Sequence, residues 1–358
     1  MKKLIQFELR KIFAKRLTQI AITALLLLSA FLGFSTYQNM YAFDGISEEG
    51  TGRKAVAIDK AIAEKYAGIL TDEKVQQMMT DFKPTQDLHG MNAAYLYRNA
   101  MQSALFHNFS DLDGNWNGLS VSDVFGDEEI KIGYTYGWLQ TSQNMIRIFL
   151  VLSLVVAIMI APVFSGEYGG LDNIILTSKY GRTKCTAAKI IGSILAALIV
   201  AAVVSAINLA YAFILYGSSG LDCSILFAPE GFAERHIPFN ITFATLLKYQ
   251  ILLAFTGAVS VTGITLVLSA LCKNQMAALV ASAAIYLCPI MLPVTETNPL
   301  FRIIALLPLY HAQFVSLMSV DKISGNMLYA LLAVPVAFMI MGIGIVISRR
   351  AFAKHQVT

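Results

Sequence analysis

The residues best placed to do chemistry in this chain sit in one polar run between two apolar stretches. That run, Gly166–Lys189, reads G-E-Y-G-G-L-D-N-I-I-L-T-S-K-Y-G-R-T-K-C-T-A-A-K. Gly169 and Gly170 permit a turn, Leu171–Leu176 provides one or two apolar helical turns, and Gly181 allows a stop ahead of Arg182 and Lys184. A short helix of this kind either presents Ile174, Ile175 and Leu176 to a groove on another protein or is an interfacial turn. Other constellations are thin. The five histidines (His89, His107, His236, His311, His355) are scattered, with no H-E-x-x-H or Cys–His spacing that would suit a metal, and read as loop or interfacial residues. There is no G-x-x-x-x-G-K-[ST] phosphate loop and no Gly-Lys dipeptide, so ATP is not held in that way. Asn208 fits either a transport pathway or a hydrogen bond between helices. Tyr286, Pro289 and Pro335 fit either pathway lining and helix bending or plain packing.

The elements that must carry these residues are apolar. Six stretches contain no Asp, Glu, Lys or Arg: Leu17–Tyr37, Ile148–Phe164, Ile190–Tyr216, Tyr249–Leu271, Met276–Val294 and Met327–Ile347. Each has about the 17–25 residues that a helix needs to cross a hydrocarbon core. The chain is 56% hydrophobic and 14% charged, against about a quarter charged in soluble domains, which places it among membrane proteins. Ionisable groups inside spans mark ion-driven relays; with none there, the motive force for any transport enters outside the spans. Paired carboxylates and nucleophiles are also missing from these stretches, which argues against an intramembrane enzyme.

Charge sets the expected orientation. Segments 1–16, 165–189, 272–275 and 348–358 hold 14 of the 27 Lys and Arg but only Glu8, Glu167 and Asp172 of the 23 acidic residues. Short basic connections stay inside, so both termini are expected in the cytoplasm of a bacterial cell. Basic clusters at helix ends are orientation signals and no reason to invoke nucleic acid. The four cysteines fall in different compartments and imply no disulfide framework. The first apolar stretch is too long for a cleaved signal and reads as a retained span.

The fold class expected is an all-α integral membrane protein. An amphipathic interfacial helix occupies 1–16, with Ile5, Leu9, Ile12 and Phe13 as its apolar stripe, serving as an anchor or as a lever. Spans follow at 17–37, 146–165, 186–216, 249–271, 276–294 and 326–348. Between them lie an outer helical segment at 38–145, an inner loop at 166–185, an outer loop at 217–248 and a hairpin at 295–325; a tail occupies 349–358. In the outer segment Ile58, Ile62, Tyr66 and Ile69 mark one helix stopped by Gly68, Thr71 caps a second with Asp72 and Glu73 in its first turn, and Ala93–His107 forms a third. Asn108–Ser120 reads as loop, and Tyr134, Tyr136 and Trp138 as an interfacial aromatic belt. This segment is small for an independent domain and should pack on the spans or on a second copy. The hairpin, broken by Pro308 and His311, is expected to be re-entrant; a seventh span is the alternative.

Glu167, Gly170–Leu171, Leu176–Thr177–Ser178 and Arg182 together resemble the coupling loop of permease subunits in six-span ATP-binding-cassette (ABC) exporters. The layout is similar as well: a leading amphipathic helix, a large outer segment after span one, an inner helix between spans two and three, and a hairpin before span six. Leu171–Asp172–Asn173 departs from the Thr-Leu-Glu found in many members. The resemblance implies a transmembrane subunit paired with a second permease chain, identical or different, and embedded in membrane lipid. It further implies cytoplasmic ATPase subunits that carry the ATP and magnesium, so that this chain holds no cofactor and is not itself the enzyme. The coupling contacts would come from Glu167, Gly170, Leu171, Ile174, Ile175, Thr177, Ser178 and Arg182, and the cargo would be an amphipathic peptide, drug or lipid. A sensor whose outer segment binds a ligand and signals to a cytoplasmic partner is the competing expectation.

Overall fold

Lys15 divides the N-terminal run into two helices. Its backbone is extended (φ −68°, ψ 128°), which turns the chain between α1 (Lys2–Ala14) and α2 (Arg16–Asn39). The structure, a computed structural model, describes residues 1–83, 99–229, 239–295, 298–313 and 327–354. In chain order there follow β1 (Tyr41–Phe43), β2 (Glu49–Thr51), α3 (Arg53–Tyr66), β3 (Gly68–Ile69), α4 (Asp72–Asp81), α5 (Ala100–Phe109), α6 (Val121–Phe125) and β4 (Lys131–Ile132). Then come α7 (Tyr136–Ile160), α8 (Pro162–Ser165), α9 (Leu171–Thr177), α10 (Thr186–Tyr216), α11 (Phe243–Leu271), α12 (Gln275–Leu287), α13 (Phe301–Ile304), α14 (Pro308–Ala312) and α15 (Ala333–Lys354). Helix accounts for 73% of the structure, and the described strands form two short antiparallel pairs, β1–β2 and β3–β4, so the architecture is α with local β clips.

Five helical stretches are long and apolar enough to cross a membrane: Arg16–Asn39, Tyr136–Ser165, Gly181–Tyr216, Phe243–Leu271 and Tyr329–Lys354. They are the helices of a multi-pass membrane protein. The stretch expected at 276–294 differs. Its α-helix stops at Leu287 and tightens into a 3-10 turn over Cys288–Met291, where Pro289 has no N–H to continue the ladder. The helices also overrun the charge-free stretches. Starting at Tyr136, Gly181 and Phe243, three of them take in Arg147, Lys189 and Lys248. A helical backbone bonds to itself whatever its side chains, so it continues beyond the apolar segment.

The chain forms two compact units. The first comprises Met1–Ser29, Met145–Ile207 and Gln250–Thr358; the second comprises Ala30–Asn144 and Asn208–Tyr249. In the first unit α11 and α15 meet backbone to backbone, since a Cβ on Gly344 would stand 2.5 Å from the Gly263 carbonyl oxygen. Ser269 Oγ on α11 accepts the N–H groups of Phe164 (2.9 Å) and Ser165 (3.2 Å) and donates to Ala161 O (2.6 Å), fastening α8 in place. The described part of the expected hairpin holds α13 and α14. Pro308 starts α14 rather than breaking a helix, because its missing N–H costs nothing at a first turn. His311 is buried there, with Nε2 3.1 Å from Leu306 O. The rest of that segment, including Phe314, Val315 and Leu317, lies outside the described residues.

In the second unit Thr71 caps α4 by accepting the N–H of Lys74 (3.3 Å), with Asp72 and Glu73 in the first turn. Gly68 lies just beyond α3 at φ +115°, a conformation in which other residues are strained. The third expected helix runs from Ala100 to Phe109 with Asn99 as its cap; 93–98 lie outside the described residues, as do Glu230, Glu234 and Arg235 of the 217–248 loop. Leu105, Phe106, Phe109, Val75 and Met78 are all buried in this unit. The aromatic belt is a core instead. Trp138 is fully buried, donates Nε1–H to Ser219 O (2.7 Å) and meets Phe213 edge-on, while Tyr134 is also buried. With its N–H engaged inside the protein, Trp138 has no need of an interface.

Candidate functional site

Helix α1 is buried at Glu8 and Ile12, so an acid sits at the centre of the face expected to be apolar; Ile5, Leu9 and Phe13 are only partly covered. The reason lies on α10. Gly192 allows α1 to approach closely, since a Cβ there would come within 3.2 Å of the Glu8 Cβ. One turn earlier on α10, Lys189 is fully buried and donates to Glu8 Oε1 at 3.0 Å and to Glu167 Oε1. Lys11 of α1 pairs with the same oxygen of Glu167. Glu8, Lys189, Glu167 and Lys11 thus form one chain of ions linking α1, the loop after α8 and the start of α10. Glu167 is 2% exposed and its Oε2 has no partner.

Lys15 completes the group, its ammonium donating to Pro162 O at 3.3 Å. Burial, reinforced by neighbouring Lys11, lowers its pKa to about 8; Glu167 opposes the effect. Ions taken out of water need close partners, and removing one partner of a buried pair costs about 3–5 kcal/mol, so the cluster fixes the three segments in register.

The loop it anchors is built step by step. Tyr168 Oη donates to Ala270 O (2.6 Å), and the Phe164 and Phe352 rings pack with centroids 4.8 Å apart. Gly169 adopts φ +79° and Gly170 caps α9. Leu176 faces inward (4% exposed) while Ile174 stands outward (69% exposed). Ser178 Oγ donates to Ile175 O (2.7 Å) and Thr177 Oγ1 to Ile174 O (3.2 Å), covering carbonyls that the helix end leaves open. Arg182 donates from Nε to Leu176 O (3.2 Å) and from a terminal nitrogen to Ala353 O (2.8 Å), tying α9 to the end of α15. Gly181 opens a π-helical turn into α10, and a Cβ there would fall 1.5 Å from Ile175 O, so no larger residue fits.

The residues expected to couple to a partner therefore divide. Glu167 is buried in the ion cluster; Arg182, Thr177 and Ser178 bond to backbone carbonyls of the chain; Ile174 is apolar and exposed, with Ile175 half-buried. Leu171 begins α9, but its side chain lies outside the described residues. Tyr286 is buried with its hydroxyl donating to Leu150 O (3.3 Å). Asn208, half-buried in the second unit, has a bonding partner. Glu8, Lys11, Lys15 and Lys189 were not singled out from the sequence as interacting residues. Their signal was sign: Glu8 is the one acid among six basic residues in 1–16.

A second buried carboxylate lies in the other unit. Asp59 of α3 is 2% exposed; Oδ1 accepts the Ala100 N–H at 2.8 Å and Oδ2 has no partner. Burial raises its pKa to about 7, the Ala100 N–H opposing. The Tyr134 hydroxyl, likewise buried and unpartnered, is held well above the usual phenol range, first by burial and then by Asp59. Among the described residues no group of three or more His, Cys, Asp or Glu side chains is gathered as a metal site. Compared with known proteins, the chain matches no family model, no curated protein and no solved structure.

Proposed function

We propose that the chain is the transmembrane permease of an ABC exporter, moving an amphipathic substrate (antimicrobial peptide, drug or lipid) across the bacterial cell membrane with ATP hydrolysed in a separate subunit. The observation that carries this reading is α9. It is a short helix with an exposed apolar side chain, Ile174, held at both ends by glycines, Arg182 and the ion cluster around Glu167. A contact that passes force from a motor subunit needs that combination of exposed apolar tip and rigid mounting. Gln275–Met291 is the sixth crossing: its 13 α-helical and 4 3-10 residues reach about 28 Å, close to a hydrocarbon core. Both termini are cytoplasmic, as the basic segments require, and the permease works with a second permease chain.

Purification from native membranes tests this directly. The expected result is a soluble ATPase retained by the wild type and lost from Ile174→Asp, with the variant still in the membrane at normal abundance. An ATPase-free chain that transports in vesicles overturns the proposal. The sensor reading draws on a different observation, a cleft of about 370 Å³ in the second unit lined by Ile46, Ile62, Tyr66, Phe82, Lys65 and Asp81 among others. Retention of a kinase instead of an ATPase would favour it.

A further inference from the structure

Where α1 gives way to α2, a cleft of about 210 Å³ opens between Leu17 of α2, Ile158 near the end of α7, Pro162 at the start of α8, and the first turns of α12 at Gln275, Met276 and Leu279. It is mostly apolar, with Leu17 52% and Met276 56% exposed on the outer surface of helices built for lipid. Lys15 lines it. Drug-sized ligands occupy about 300–1,000 Å³, so this cleft is too small for a transported cargo and suits a segment of an acyl chain.

The electrostatics select the sign of what sits there. Lys189 engages both Glu8 and Glu167, and Lys11 engages Glu167. Three ammonium groups, those of Lys11, Lys15 and Lys189, therefore face two carboxylates, leaving one positive charge in surplus. Lys15 carries it: its hydrogen bond goes to the Pro162 carbonyl, and no carboxylate lies within ion-pair range among the described residues. Its depressed proton affinity has the same origin, burial beside Lys11. Arg16 and Lys273 flank the lining residues in the sequence. Basic pockets between membrane helices take anionic headgroups.

We propose that this cleft binds one anionic phospholipid, with its phosphate on Lys15 and an acyl chain along Leu17, Ile158, Met276 and Leu279. The site stands whether or not the chain is an exporter.

The test uses the full chain in neutral detergent, titrated with phosphatidylglycerol or with phosphatidylcholine of the same acyl chains. Bound lipid is read by native mass spectrometry and stabilisation by thermal unfolding. Phosphatidylglycerol is expected to stay bound and raise the midpoint, and Lys15→Gln to weaken it at least about fivefold, the worth of one basic residue near an anionic headgroup. Lys15→Arg should retain binding, and Leu279→Trp, which fills the apolar wall, should lose it while keeping the charge. Because Lys15→Arg and Leu279→Trp give opposite expectations, the site remains testable if Lys15→Gln does not fold. Equal binding of the two lipids, or unaltered phosphatidylglycerol affinity in Lys15→Gln or Leu279→Trp, overturns the proposal. So does a Lys15-dependent shift of the same size from inorganic phosphate alone, which would make the site one for free anions.

Discussion

Glu167 and Asp59 are equally buried, each 2% exposed with one oxygen unpartnered, yet they live by different chemistry. Glu167 places its other oxygen between two ammonium groups, Lys11 and Lys189. Asp59 offers its own to a single amide N–H. An ammonium answers a carboxylate charge for charge, whereas one peptide dipole compensates only part of the loss of water. The first site is therefore a clamp that holds segments together, and the second is a group whose proton follows pH within the physiological range. Burial alone distinguishes neither; the partner does.

Breaking the clamp is expected to have the largest effect. Glu167→Gln leaves Lys189 and Lys11 short of an anion and should cost about 3–5 kcal/mol, seen as a lower melting midpoint in mild detergent. Replacing Glu8, Lys11, Glu167 and Lys189 together with apolar residues should recover much of that loss, because each carboxylate is then removed with its ammonium. If Glu167→Gln melts like the wild type, the contrast with Asp59 collapses.

Asp59→Asn should go the other way. The folded state holds the Asp59 proton more tightly than the unfolded chain, so stability falls as pH rises from about 4 to about 7 and is level above that. The shift from 3.8 to about 7 sets a ceiling of about 4 kcal/mol on the gain from the neutral amide at pH 8. Melting curves across pH check it: the variant should lose the slope, and a wild type with no slope over that window would show that Asp59 finds a cation after all.

An uncharged close contact supplies a yardstick between these and the surface. Gly344→Ala forces a methyl against the Gly263 carbonyl and should cost about 1–3 kcal/mol through repacking of α11 and α15, independent of pH and salt. The smallest effect belongs to Lys65→Ala. The Lys65–Asp81 pair, at 2.8 Å with both side chains at least a third exposed, should be worth about 0.2–1 kcal/mol and fade in high salt. A larger loss there would mean that solvent screening is weaker in the second unit than its exposure implies.

Much of the architecture was legible because it rests on local patterns. Apolar runs marked five of the long helices, Thr71 and Gly68 bracketed elements of the outer segment, and glycines at 169–170 and 181 outlined α9. Helix limits were less legible, since apolar runs report hydrocarbon and not backbone; α7 begins twelve residues ahead of Ile148. The belt at Tyr134–Trp138 misled because aromatic residues look alike at an interface and in a core. In the candidate site, Glu167 and Arg182 were recognisable as unusual residues, but their partners were not: Glu167 is buried among ammonium groups, and Arg182, though exposed, spends its guanidinium on the Leu176 and Ala353 carbonyls.

By itself the sequence determined that this is a helical membrane protein with a glycine-flanked polar loop after its second long apolar stretch, because hydropathy, glycine placement and capping are sums over neighbouring residues. Only the tertiary structure decided which charges meet. Lys189 and Glu8 are 181 positions apart, Lys11 and Glu167 156, and no local pattern pairs them. Coulomb attraction acts through a few ångströms of space, and the chain closes that distance only when α1, the loop after α8 and α10 have packed.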